Sequence, residues 1–193
     1  MNAPFAPPAT HQRLPLTVDD LRLLHDHGAF NGIENRVELI GGDILLMNSM
    51  RMPHAHAVGE LGFRLRLAIE TFDRSLRMLA GVTLAFPPHD APEPDLVLTC
   101  AAIRRDYLPG AEALLVVEVA DSSADFDRNG KAVLYATHGV PEYWVIDLAA
   151  GAFLQHADPS DGRFARVEQQ PLAGEARAWT LPDLAISLDG LAA

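Results

Sequence analysis

Cysteine is almost absent from this 193-residue chain: Cys100 stands alone. An intrachain disulfide is therefore excluded, as is a zinc site built from several thiolates. Lysine is equally scarce. Fourteen of the fifteen basic residues are arginine, and Lys131 is the single lysine in a chain that also carries 29 alanines. No run approaches the ~18 consecutive apolar residues of a membrane span, and the opening MNAPFAPPATHQRLP lacks the apolar core of a signal peptide. A soluble, cytoplasmic protein without a membrane partner is expected. Positive charge is also in deficit, with 15 Lys+Arg against 26 Asp+Glu and a net charge of −11. That excess of acid argues against coating nucleic acid through a basic face. It leaves room for a metal-dependent enzyme acting on phosphates, because bound cations invert the local field.

What is present suits one α/β domain. Hydrophobic residues make up 49% of the chain, and a chain of this length buries roughly 70% of its unfolded surface. Residues 1–16, with prolines at 4, 7, 8 and 15, read as a loose arm, and the domain spans 17–193. Thr17 with Asp20 predicts a capped helix ending near Gly28. Two apolar runs split by Gly41-Gly42 predict a hairpin over 36–47. Val58, Leu61, Leu65, Ala68, Ile69 and Phe72 recur at helical spacing and predict the longest helix, 54–72. Strands are expected at 82–86, 96–98, 114–119 and 143–147, a helix at about 128–138 after a polar loop at 121–127, and short strands at 152–156, 163–168 and 178–181. The resulting order, α-β-β-α-β-β-β-α-β-β, describes a mixed sheet flanked by helices.

Glu118 is the most informative residue, because it interrupts Leu114–Val119, a run that reads as a central strand buried on both faces. A carboxylate there must be paired or bind a metal. Asp95 follows Glu93-Pro94 at the start of another short strand. Two carboxylates on neighbouring strands can converge on one hard cation, which favours oxygen ligands. Lys131 begins the helix after the Glu118 strand, where a compact ammonium differs from the broad fork of arginine. Two superficial motifs fail. Asn129-Gly130-Lys131 lacks the upstream glycine of a phosphate loop, and 121–132 has Phe126 and Ala132 where a calcium loop requires glycine and glutamate. His54 and His56 form an isolated H-x-H pair without further zinc ligands. Arg64, Arg66, Arg74 and Arg77 are the candidates for phosphate contacts, although interspersed acids also describe a solvated helix face.

The run Val117-Glu118-Val119-Ala120-Asp121-Ser122-Ser123, followed by Asp127, Lys131, Tyr135 and Gly139-Val140-Pro141-Glu142-Tyr143-Trp144-Val145-Ile146-Asp147, resembles the signature of the Uma-two family. Upstream, Val37-Glu38-Leu39-Ile40-Gly41-Gly42, Met47, His54 and Pro94-Asp95-Leu96 fall in the same order. That family belongs to the PD-(D/E)XK nuclease superfamily, so the resemblance implies a restriction-endonuclease-like fold with additional C-terminal strands. It also implies a Mg²⁺-dependent DNA endonuclease, with Mn²⁺ a possible substitute. Asp95 and Glu118 match the acidic metal ligands, and Glu38 is an additional acid. Ala120 stands where the superfamily places its lysine, and Lys131 is the candidate for that role from the next helix. Tyr135, four residues on, shares its helical face. A homodimer is a physical expectation, since one site cuts one strand. The competing reading is a nuclease-fold module for interaction or assembly that no longer catalyses.

Overall fold

The computed structural model describes residues 13–120 and 130–192. Most of the expected arm, residues 1–12, therefore lies outside the described residues, as do the loop 121–127 and the first two residues of the helix expected from 128. Helix α1 (Val18–Asp26) is closed at its N-terminus by the predicted capping box. The Asp20 amide donates to Thr17 Oγ1 at 3.1 Å and the Thr17 amide donates to Asp20 Oδ2 at 2.8 Å. Strands β1 (Val37–Ile40) and β2 (Asp43–Leu46) form the predicted hairpin. Its turn places Gly41 and Gly42 at φ of +58° and +81°, the left-handed pair that a two-residue hairpin turn requires. Helix α2 (Met52–Phe72) starts two residues earlier than periodicity suggests, because Pro53 suits a first turn.

Strands β3 (Arg77–Ala80), β4 (Leu84–Ala85), β5 (Leu96–Thr99), β6 (Leu108–Pro109) and β7 (Ala113–Ala120) precede α3 (Ala132–Thr137). Strands β8 (Glu142–Asp147), β9 (Ala152–Ser160), β10 (Arg163–Pro171), β11 (Glu175–Arg177) and β12 (Ala185–Ser187) complete the chain. The main sheet has the order β10-β9-β8-β7-β5-β3 and is antiparallel except between β7 and β8. That one parallel pair demands a crossover connection, and α3 lies on it.

The two faces of β7 divide the core. Leu115, Val117 and Val119 pack with Leu61, Leu65 and Ile69 of α2, and with Ile186 near the C-terminus. Val116 and Ala120 pack with Leu134 and Tyr135 of α3. Because alternate strand residues share a face, Glu118 points to the α3 side. A smaller core joins α1 to the hairpin through Val18, Leu21, Val37 and Leu39, so Glu38, between Val37 and Leu39, faces the other way.

Several predicted strands shift. The expected strand 82–86 shrinks to β4, since the Leu84 and Phe86 amides bond to the carbonyls of Pro92 and Asp90 within the local turn. The segment 178–181 is not a strand. The Trp179 and Thr180 amides bond instead to the side chain of Glu142, and the C-terminal pairing is made by β11 and β12. Strands β9 and β10 run longer than expected, nine residues each. No helix among the described residues is long and apolar enough to cross a membrane.

Candidate active site

Four elements bring four predicted residues into one buried cluster. Glu38 comes from β1, Asp95 immediately precedes β5, Glu118 lies near the end of β7, and Lys131 immediately precedes α3. All four are at most 3% exposed. Lys131 Nζ lies 3.1 Å from Glu38 Oε1 and 2.8 Å from Glu118 Oε1, so it bridges two carboxylates. Glu118 is thus no solvent-facing strand end, and Lys131 is no surface lysine. Lys131, just before α3 on the crossover from β7 to β8, meets the side chain that Glu118 presents on the α3 side. Tyr135, one turn along, donates its hydroxyl to the same Glu118 oxygen at 3.1 Å. Burial, followed by the neighbouring Glu118 charge, pushes the Tyr135 phenol well above its ordinary value. It therefore acts as a fixed donor.

Asp95 is held differently. Its Oδ1 lies 2.9 Å from Arg36 Nη1, and its Oδ2 accepts from the Val119 amide at 2.8 Å and lies 3.2 Å from His54 Nε2. The Val119 bond seats the Asp95 carboxylate against the peptide that follows Glu118. Burial works against its charge, but His54, Arg36 and the Val119 amide together hold the Asp95 pKa below the ordinary carboxylate range. Arg36 is itself partly buried, which disfavours its charge. Asp95, Glu118, Glu38 and Glu93 overcome this and raise its pKa.

Sequence reasoning did not single out Arg36, because nothing local marks it; only the return of β1 beside Asp95 gives it a role. His54 sits at the site through Asp95, whereas His56 on the same helix is exposed. Arg64 is engaged by the carbonyls of Ser187 and Asp189 at 2.9 and 2.8 Å, a contact that ties α2 to the C-terminal strands. Arg66, Arg74 and Arg77 line an open groove of about 760 Å³ with Leu76, Met78 and Ile103, toward the end of α2 remote from His54.

The described residues present hard oxygen donors, the chemistry that suits a divalent cation. One of them, Glu38 Oε2, is buried without a hydrogen-bond partner among these residues, as is His54 Nδ1. A buried carboxylate oxygen without a donor invites a cation. Yet among the described residues no three His, Cys, Asp or Glu side chains stand grouped as a ready metal cage. In this arrangement the acids are held by the chain's own cations.

A family model described as "Putative restriction endonuclease", Uma2, matches residues 20–189. The chain belongs to the Uma2 family. Membership supports a nuclease function, and it agrees with the resemblance read from Glu118–Asp147. A similar solved structure, titled a "putative nuclease" from Anabaena variabilis ATCC 29413, is 18% identical with a TM-score of 0.69. The match covers 92% of this chain and 98% of that one, and shows that the Uma2 member shares its fold. No curated protein matches the sequence.

Proposed function

We propose that this Uma2 member is a Mg²⁺-dependent DNA endonuclease that hydrolyses phosphodiester bonds, with Mn²⁺ able to substitute. The observation that carries the reading is Lys131 Nζ placed between Glu38 and Glu118, with Asp95 held on the amide of Val119, the residue after Glu118. Four polar residues from four separate elements meet where an apolar interior would serve stability better.

Asp95 and Glu118 would hold the metal, with Glu38 as the further acid. When bound, the cation supplies Lewis acidity, lowering the pKa of a water and stabilising charge on the phosphate. Lys131 orients the attacking water or neutralises the developing phosphorane charge, an electrostatic role suited to a buried point charge. Tyr135 fixes Glu118 for that purpose. The Val119 amide and His54 orient Asp95. Residues 17–193 act as one nuclease domain, in the cytoplasm, and a homodimer would supply two sites for cutting both strands.

The test is cleavage of supercoiled plasmid and of single-stranded DNA in Mg²⁺ or Mn²⁺, beside Asp95→Ala, Lys131→Ala and Lys131→Arg. Nicking by the wild type that disappears in all three variants is expected; Lys131→Arg keeps the net charge and the fold, so its loss of cutting isolates the need for a compact ammonium. Cleavage absent from the wild type, or unchanged in Asp95→Ala and Lys131→Ala, overturns the assignment and leaves the non-catalytic assembly module as the better reading.

A further inference from the structure

The groups that hold Asp95 differ in how far they can yield. The Val119 amide belongs to the backbone of β7, a central strand of the sheet. His54 has an 11% exposed side chain and sits in the first turns of α2. Arg36 has a 22% exposed side chain, the most open at the cluster, where Lys131, Glu38, Glu118 and Asp95 side chains are 3% or less. Its Nη1 is shared between Asp95 Oδ1 at 2.9 Å and the Glu93 carbonyl at 3.1 Å. It lies just before β1, on a long flexible stem. Among the described residues, Arg36 is thus the most exposed partner of Asp95 and lies outside the sheet, and the oxygen that it covers accepts from no backbone amide.

We propose that Arg36 is a resident counter-ion on Asp95, which a divalent metal displaces from Oδ1 and which then pairs with a substrate phosphate. The inference rests on the metal-dependent reading above. Two observations support it together: both Asp95 oxygens already carry cationic or amide partners, and a buried Glu38 oxygen lacks a donor among the described residues. Arg36 relieves the mutual repulsion of Glu38, Asp95 and Glu118. Once a divalent ion supplies that charge, the guanidinium is freed near the more open side of the cluster. Its planar fork then matches a phosphate with two parallel hydrogen bonds. No covalent bond is made or broken in this exchange; one cation replaces another on a carboxylate.

The exchange predicts opposite effects on two ligands. Mn²⁺ binding is measured by calorimetry on the wild type, Arg36→Gln, Arg36→Lys, Asp95→Asn and the Arg36→Gln/Asp95→Asn double variant. DNA binding is measured with a duplex oligonucleotide in Ca²⁺. Arg36→Gln is expected to bind Mn²⁺ about tenfold tighter, the scale of a typical coupling between two sites, and to bind the duplex several-fold more weakly. Arg36→Lys is expected to fall between. In the Asp95→Asn background, Arg36→Gln is expected to change Mn²⁺ affinity little, since the competition acts through that carboxylate. Circular dichroism of metal-free Arg36→Gln and Arg36→Lys checks folding; Arg36→Lys carries the comparison if the glutamine variant is unfolded. Unchanged or weaker Mn²⁺ binding in the folded variant overturns the counter-ion role. Tighter Mn²⁺ binding with unchanged duplex affinity overturns the transfer to phosphate. Failure of the wild type itself to bind Mn²⁺ overturns the metal-dependent reading, and the exchange with it.

Discussion

Glu118 on β7 and Glu142 on β8 are buried glutamates on adjacent strands of one sheet, and they are held in opposite ways. Glu142 accepts only from neutral donors. Its Oε1 takes Trp144 Nε1 at 2.6 Å, Gln155 Nε2 at 2.7 Å and the Trp179 amide at 3.2 Å; its Oε2 takes the Thr180 amide and hydroxyl at 2.8 and 2.7 Å. Glu118 instead meets Lys131 and a tyrosine hydroxyl, with Glu38 on the far side of the same ammonium. Five neutral donors pin a carboxylate and fasten the irregular segment 179–180 to the sheet. A shared ammonium instead balances the charge of two buried carboxylates at one point. Burial alone therefore does not mark Glu118 for the proposed chemistry; the charged partner beside it is what distinguishes it from Glu142.

The largest break in this comparison is Lys131→Met. Removing the shared cation leaves Glu38 and Glu118 facing each other in the interior, and a loss of about 3–5 kcal/mol is expected by urea unfolding, together with abolished cleavage. Adding Glu38→Gln is expected to restore part of the stability and none of the cleavage. Glu142→Gln comes next. It replaces an acceptor oxygen with an amide that faces donors, at a cost of about 2–3 kcal/mol. Faster hydrogen exchange at the Thr180 amide is expected, with the cleavage rate per folded molecule unchanged. If Glu142→Gln silences cleavage as Lys131→Met does, the contrast between the two acids fails.

Tyr135→Phe removes one donor from Glu118. About 1 kcal/mol of stability and about tenfold in cleavage rate, the equivalent of ~1.4 kcal/mol, should be lost. The smallest effect concerns His156, buried between Tyr143 and Phe164. Burial lowers its pKa in the fold, so the stability it contributes is present above the unfolded value of about 6.5 and is lost as pH falls through the lower folded value. His156→Phe is expected to flatten the melting temperature against pH across that range, without moving cleavage.

Much of the site was legible because burial and charge conflict in the sequence itself. A glutamate inside Leu114–Val119 demands a partner, and a lone lysine among arginines near the next helix is a natural one. Asp95 was legible through its place at a strand start. Arg36 was not, since an arginine before a hairpin looks like any surface cation until the fold brings it against Glu93 and Asp95, 57 and 59 residues on. Glu142 escaped for a similar reason: it lies in a motif that resemblance marks, but its donors come from Gln155 and from 179–180, a segment that reads as a strand. In the fold, amphipathic helices and the central strands were legible from periodicity. Strand β3, Arg-Met-Leu-Ala, was not, because it lacks β-branched residues and alternation and is fixed by pairing with β5.

The bridge made by Lys131 joins contacts of very different range: Glu118 is 13 residues away and Glu38 is 93. Loop closure over such a span is slow relative to local structure. The contact with Glu38 closes a far longer loop than the contact with Glu118. A chain still emerging from the ribosome, with Glu38 and Asp95 translated but Lys131 not yet made, holds acids without their bridge. The bridge across Glu38 and Glu118 thus waits for the synthesis of residue 131, long after Glu38 is in the chain.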